Sequence, residues 1–186
     1  MRHLQANEIL QLFDSHEHGL KRRISKEASI KETLLALHQA DTPLQRIVLC
    51  DILGERGSKS AVPTLIDYLD DPLPKIQKAA AEALGKIGDP RAGETLFAHF
   101  EQDEVEELVR LNLALGLGGV QYRPAIPALI QALSSDDKRL RSCAAWSLGR
   151  LHAKEAEDAL TQALAKETYG YGALQMEEAL SKIKQT

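Results

Sequence analysis

Arg46, Arg110 and Arg141 form the most regular set of charged side chains in this sequence, and the aspartates Asp41, Asp71, Asp103 and Asp136 each stand just ahead of a helical stretch in that register. Guanidinium groups in one repeated slot suit a track for phosphate or carboxylate. Stacked Arg and Asp residues also satisfy helix-end carbonyls and link neighbouring units through forked hydrogen bonds, and that structural ladder is the expectation here. His16-Glu17-His18 is the only local group of possible metal ligands. Residues two apart do not share a helix face and no second cluster completes a site, so a solvated loop and no metal are expected. Gly116, Gly118 and Gly119 sit at a helix end rather than after a strand, which removes a phosphate-cradling loop. Every Ser and His lacks a local activating partner, and no catalytic residue is assigned. Trp146 is the sole tryptophan. An indole either anchors a partner or fills a gap between helices, and both roles stay open.

The bulk composition narrows the classes further. With 23 Lys+Arg against 27 Asp+Glu the formal net charge is −4, which opposes the electrostatic footprint that nucleic-acid binding needs. The acidic run Glu101, Asp103, Glu104, Glu106, Glu107 suits a solvated helix start, where carboxylates favour the positive end of the dipole. Lys21-Arg22-Arg23 is too short for a nucleic-acid tail. The longest apolar stretches, such as Leu111 to Val120, fall short of the roughly 20 residues of a spanning helix, so no membrane contact is expected. The first residues carry charge where a signal peptide would be apolar. Cys50 and Cys143 lie in apolar helical patterns, which suits reduced packing residues in a cytoplasmic protein.

The elements that must position these residues are repeats. Ala61-Val62-Pro63-Thr64-Leu65-Ile66 returns as Ala125-Ile126-Pro127-Ala128-Leu129-Ile130, and Ala83-Leu84-Gly85-Lys86-Ile87 returns as Ser147-Leu148-Gly149-Arg150-Leu151 and Ala179-Leu180-Ser181-Lys182-Ile183. Leu53, Leu84, Leu117, Leu148 and Leu180 mark the phase, with spacings of 31, 33, 31 and 32. Arg46, Arg110 and Arg141 lie seven residues before their marker leucine, and Gln77 takes that slot in the second unit. Ile76, Ala80, Ala83, Leu84 and Ile87 step at helical spacing, so each unit reads as a hairpin of two amphipathic helices. The spacing predicts first helices near 26–39, 60–70, 91–101, 124–134 and 155–166, and second helices near 42–55, 73–87, 104–118, 137–151 and 172–184. All seven prolines fall at or near helix starts, where a missing N–H costs least. Residues 1–24 lie outside the period and read as a capping helix followed by a polar loop, with the repeat array over 25–186 in one domain. The fold class is all-α: a right-handed α-α superhelix of about five hairpins plus an N-terminal capping helix.

The phrase from Ile76 to Ala92, with Ala83-Leu84-Gly85-Lys86-Ile87-Gly88-Asp89-Pro90 at its centre, resembles the HEAT-like repeat named after phycobilisome bilin lyases. The resemblance covers about residues 26–186. It implies that second helices line a concave face, which places Asp51, Lys78, Glu82, Lys86, Leu111, Leu115, Cys143, Trp146, Arg150 and Lys182 on an inner binding surface. Hydroxylases that share the repeat carry His-Glu pairs on that face as iron ligands. Here the corresponding pairs are Ile47-Val48, Lys78-Ala79, Leu111-Asn112, Ser142-Cys143 and Leu174-Gln175, which supply no iron ligands.

Three functions fit these residues. The leading expectation is a non-enzymatic, cytoplasmic scaffold or adaptor, without cofactor, that grips another protein or a peptide segment on the concave face. Trp146 would be its anchor and the mixed charges would set register. The alternative is a phycobilin lyase subunit or tetrapyrrole chaperone, with Arg150, Lys182 and Lys86 meeting propionates, Asp51 or Glu82 meeting pyrrole nitrogens, and Trp146 stacking on a ring. A HEAT-like DNA glycosylase ranks last, because Asp51, Glu55, Glu82 and Glu178 stand where a nucleic-acid groove needs lysines.

Overall fold

The computed structural model describes residues 4–15 and 19–185. Among them twelve α-helices follow one another: α1 (Ala6–Asp14), α2 (Leu20–Glu27), α3 (Ile30–His38), α4 (Pro43–Glu55), α5 (Val62–Asp67), α6 (Pro74–Ile87), α7 (Gly93–Phe100), α8 (Glu107–Gly119), α9 (Ile126–Ala132), α10 (Lys138–Arg150), α11 (Glu157–Lys166) and α12 (Gly170–Lys184). No strand occurs among the described residues; a single parallel bridge joins Leu4 to Ala28. From α3 onward each odd helix packs on the even helix after it, and the even helices stack α4 on α6, α6 on α8, α8 on α10 and α10 on α12. The result is a two-layer helical solenoid, as the repeat spacing predicts. No described helix is long and apolar enough to cross a membrane.

Local chemistry sets the element ends. Pro43 and Pro74 begin α4 and α6, and Thr42 closes a capping box with Gln45, each side chain meeting the other's backbone N–H. Short 3-10 turns precede α5, α7, α9 and α11 and end in Ala61, Ala92, Ala125 and Ala156, each fully buried under its hairpin. The marker leucines Leu53, Leu84, Leu117 and Leu148 are fully buried. One residue beyond each of them, Gly54, Gly85, Gly118 and Gly149 lie against Ala83, Gly116, Ser147 and Ala179 of the next unit, so close that an added Cβ would sit 2.7–3.0 Å from the facing Cα. This contact lets neighbouring helices approach backbone to backbone and keeps a thin stack dry. Ser147 Oγ adds a buried hydrogen bond to the Ala114 carbonyl at 2.7 Å.

Residues 20–30 differ from the polar loop and long first helix read from the sequence. Residues 20–27 form a helix of their own, so the capping helix is followed by α2, which packs on α4 as the even helices do. Only Ile24 of α2 is fully buried, too little apolar content to show a period. Ser29 then accepts the Glu32 N–H as the N-cap of α3, which starts at Ile30, four residues later than the spacing implies for that element.

Candidate functional site

The face formed by the even helices has two halves of different chemistry. In the N-terminal half, charges from α2, α4 and α6 neutralise one another in a chain. Lys21 pairs with Asp51 and, at 2.6 Å, with Glu55. Asp51 also receives Lys86 at 2.8 Å, Lys86 reaches Glu82 at 2.9 Å, and Lys78 stands 3.9 Å from Glu82. Partial burial works against the Lys21 and Lys86 ammonium charges, yet their carboxylate partners outweigh it and hold both above the ordinary lysine range. Burial likewise pulls against Asp51, and the two ammonium groups still hold it below the usual carboxylate range. Lys21, read from the sequence as part of a linking run, enters this chain because α2 is a helix that lies against α4.

The C-terminal half is a groove of about 500 Å³ running from α6 to α12. Its floor is the glycine seam of Gly85, Gly116 and Gly119, where the close approach of α6 and α8 leaves no side chains to fill the space. Leu115, Cys143 and Trp146 give it apolar walls. Glu82 and Lys86 border it at the α6 end, and Arg150 and Tyr171 at the other. The Arg150 guanidinium lies 5.5 Å from the Trp146 ring centre, a cation–π contact, and has no carboxylate partner among the described residues. Asn112 donates to the Leu108 carbonyl at 2.8 Å, and its amide oxygen has no partner among the described residues. Desolvation pushes the Cys143 thiol up to about 11, so it lines the wall as a neutral group rather than as a thiolate nucleophile.

The inner-face residues read from the sequence divide accordingly. Glu82, Lys86, Leu115, Cys143, Trp146 and Arg150 line the groove. Asp51 belongs to the ion-pair chain, and Lys78 lies beside Leu108 and Glu106 in a separate notch. Leu111 is buried, only 8% exposed, and does not line the groove. Lys182 lies outside the groove, its carbonyl meeting His152 Nδ1. Tyr171 is 57% exposed at the groove and was not singled out, since it precedes the predicted start of the last helix. Cys50 is fully buried, its thiol pushed up to about 12 by desolvation.

The ladder residues also separate. Arg46 donates to the Ala40 carbonyl and pairs with Asp71 of the next unit at 3.3 Å. Arg110 donates to the carbonyls of Phe100, Gln102 and Asp103, and Arg141 to those of Ser135 and Asp136. Asp103 and Asp136 thus act through their backbone, and Asp41 donates its N–H to Gln45; the aspartate side chain takes part only at Asp71. Glu167 supplies the carboxylate for Arg141. The turns explain this, because a guanidinium reaching back along its own hairpin meets main-chain oxygens first. His16-Glu17-His18 lies outside the described residues, and among those described no group of His, Cys, Asp and Glu could hold a metal ion.

Comparison with known proteins bears on this face. Phycocyanobilin lyase subunit alpha of Pseudanabaena tenuis is 29% identical over 96 residues, half of this chain and 35% of that protein. The subunit alpha of Thermosynechococcus vestitus is 32% identical over 91 residues, 48% of this chain and 32% of that protein. This chain therefore matches about a third of the length of those relatives. Among solved structures, a designed armadillo repeat protein in complex with the peptide (KR)4 aligns with a TM-score of 0.64 at 13% identity, covering 96% of this chain and 91% of its own. The complex of CpcE and CpcF of phycocyanin lyase from Nostoc sp. PCC7120 aligns with a TM-score of 0.50 at 19% identity, covering 98% and 96%. The structures share the fold. These sequence relatives overturn the scaffold expected from the repeat fold: they are named as lyase subunits, and that expectation rested on an open concave wall which every such solenoid possesses. A model of HEAT repeats matches residues 30–108 and 102–181, nearly all of the array, and the chain belongs to the HEAT-repeat family.

Proposed function

We propose that this chain is a tetrapyrrole-handling subunit of the phycobilin lyase type, and that its groove holds an open-chain tetrapyrrole. The observation that carries the reading is Arg150, a cation stacked on Trp146 at the groove and without a carboxylate partner among the described residues. A propionate would take the guanidinium in a forked pair. The conjugated rings would lie against Trp146 and Leu115 over the glycine floor, and ring N–H groups would find the Asn112 amide oxygen and Glu82. A groove of about 500 Å³ falls in the ordinary range for small-molecule sites. Lys86, already held by Asp51 and Glu82, borders the ligand without competing for its acid group.

The groove is open along one side, and a second protein closes it in this reading. The solved lyase relative is a complex of two different subunits, which supports that arrangement. The array over 25–186 is the working unit, the leading hairpin covers its end, and the work is done in the cytoplasm.

Trp146 is the only tryptophan, so its fluorescence reports on the groove alone. Phycocyanobilin added to the protein is expected to quench that emission and to gain a new visible band. Arg150→Glu should weaken binding at least tenfold, about 1.4 kcal/mol, and the dimethyl ester of the bilin should bind parent and variant alike. Absence of quenching through high micromolar bilin, or equal affinity in the Arg150→Glu protein, would refute the assignment.

A further inference from the structure

Away from the groove, the repeat leaves another guanidinium short of a carboxylate. Two residues before the N-cap of an even helix, Asp71 and Glu167 occupy one position, thirteen residues before their marker leucines. Each does two things. Asp71 accepts the Leu73 N–H at 2.9 Å and pairs with Arg46 of the preceding unit. Glu167 accepts the Tyr169 N–H at 2.9 Å and takes Nε and Nη2 of Arg141 at 2.7 and 2.8 Å. Between the third and fourth hairpins the same position holds Ser135, which also lies thirteen residues before its marker. Ser135 Oγ accepts the Asp137 N–H at 3.2 Å and so performs the first task. It has no second oxygen for Arg110. That guanidinium meets only main-chain carbonyls, and its Nε–H has no acceptor among the described residues.

A cavity of about 500 Å³ opens at this place, lined by Arg110, Ser134, Ser135 and Gln131 together with the apolar Phe100, Ala128 and Leu140. We propose that it is a binding site for a carboxylate brought by another molecule, which completes the pair that Glu167 completes one unit later. The cavity mouth also carries the exposed carboxylates of Glu101 and Asp103. They oppose a free polyanion and favour a single carboxylate attached to an apolar stem, which the Phe100 and Leu140 surfaces would cover. The donors in place match a carboxylate: one guanidinium edge, the Ser134 hydroxyl and the Gln131 amide.

Two sources share this chemistry, a small free monocarboxylic acid and a glutamate side chain of a docked protein. The test titrates the whole chain with butyrate and, separately, with a short peptide bearing one Glu between leucines, each against chloride at matched ionic strength, reading calorimetric binding and Tm. Two variants accompany the parent. Arg110→Gln removes the charge but keeps a side chain that the second unit tolerates in this slot, where Gln77 donates to the Asp71 carbonyl at 2.8 Å. Ser135→Glu supplies the missing carboxylate from within. The parent is expected to bind at least one ligand, Arg110→Gln to bind it at least tenfold more weakly, and Ser135→Glu to lose it while gaining a few degrees in Tm. Binding of the peptide alone assigns the site to a protein partner, and comparable binding of butyrate assigns it to a small acid. Binding of neither, equal binding in all three proteins, or a Ser135→Glu chain no more stable than the parent would overturn the proposal.

Discussion

Replacing Glu167 with Gln keeps the volume of the side chain but removes the charge that Arg141 grips with two nitrogens. The carboxylate is fully shielded from solvent although the turn that carries it lies at the surface, and the Arg141 side chain is only 20% exposed. Hydrogen bonding to Arg141, aided by the Tyr169 N–H, holds the Glu167 carboxyl at about 2, against its usual 4.5. At about 1.4 kcal/mol per unit that difference amounts to at most about 3 kcal/mol of stability. The folded value lies below the unfolded one, so the contribution is complete above about pH 5 and drains away as pH falls from 4.5 toward 2. Urea unfolding of parent and Glu167→Gln chains should therefore differ by about 3 kcal/mol at pH 7 and by less than about 1 kcal/mol at pH 2.5. Taking the difference between the two chains cancels the other carboxylates that titrate in this range. A gap that is absent at pH 7, or that persists undiminished at pH 2.5, would refute the argument. Because Glu167 also fixes the Tyr169 N–H at the start of α12, the variant should loosen Tyr171 at the groove as well.

Further outcomes follow from the same packing. A Cβ on Gly119 would sit 2.4 Å from the Gly85 carbonyl oxygen and 2.8 Å from its Cα, so Gly119→Ala must push α6 and α8 apart. It should cost about 1–3 kcal/mol, read as a lower Tm by circular dichroism; an unchanged Tm would show that the seam is not tight. Asp51→Asn strips the carboxylate shared by Lys21 and Lys86, each about a third exposed. The loss should stay below about 1 kcal/mol in low salt and vanish near 1 M salt, where such pairs are screened, whereas a salt-independent loss would mean that Asp51 acts through packing instead.

The hairpins were legible because every unit repeats its burial requirement. A leucine that must be buried, followed by a glycine that must let the next helix approach, recurs from Leu53-Gly54 to Leu148-Gly149 and fixes the phase of all the even helices from α4 on. Helix α2 was hidden for the opposite reason, since one buried isoleucine and a pair of ion-pair partners leave no periodic trace. The site was legible only by position. Trp146 and Arg150 could be assigned to the inner face by counting from the marker leucine, but not the groove between them, whose existence depends on what the neighbouring units lack. Leu111 shows the limit of counting, because its slot by register falls on the inner face and yet the residue is only 8% exposed. Tyr171 lay just outside the predicted helix, and a boundary error of two residues was enough to lose it.

The groove and its unpaired cation have one cause. Two residues before each marker leucine the chain carries Asp51, Glu82, Leu115, Trp146 and Glu178, and two residues after it Glu55, Lys86, Gly119, Arg150 and Lys182. Where a carboxylate precedes the leucine of one unit and a cation follows that of the next, as with Asp51 and Lys86, the two meet at 2.8 Å and fill the seam between helices. In the third unit both members are gone. Gly119 leaves Glu82 without a cation across the next seam, so that its partners are Lys86 and Lys78 on its own helix. Leu115 in turn leaves Arg150 without a carboxylate, and the guanidinium settles on the Trp146 ring instead. A single unit that departs from the charge pattern of its neighbours thus opens an apolar hollow and frees one cation at its edge. Gly119 is buried against Gly85, where an added Cβ would sit 2.4 Å from the Gly85 carbonyl oxygen, so the seam itself requires glycine there. Gly119 therefore answers to the close approach of α6 and α8, and Leu115, half-buried on the groove wall, is the member of the pair that the seam leaves open.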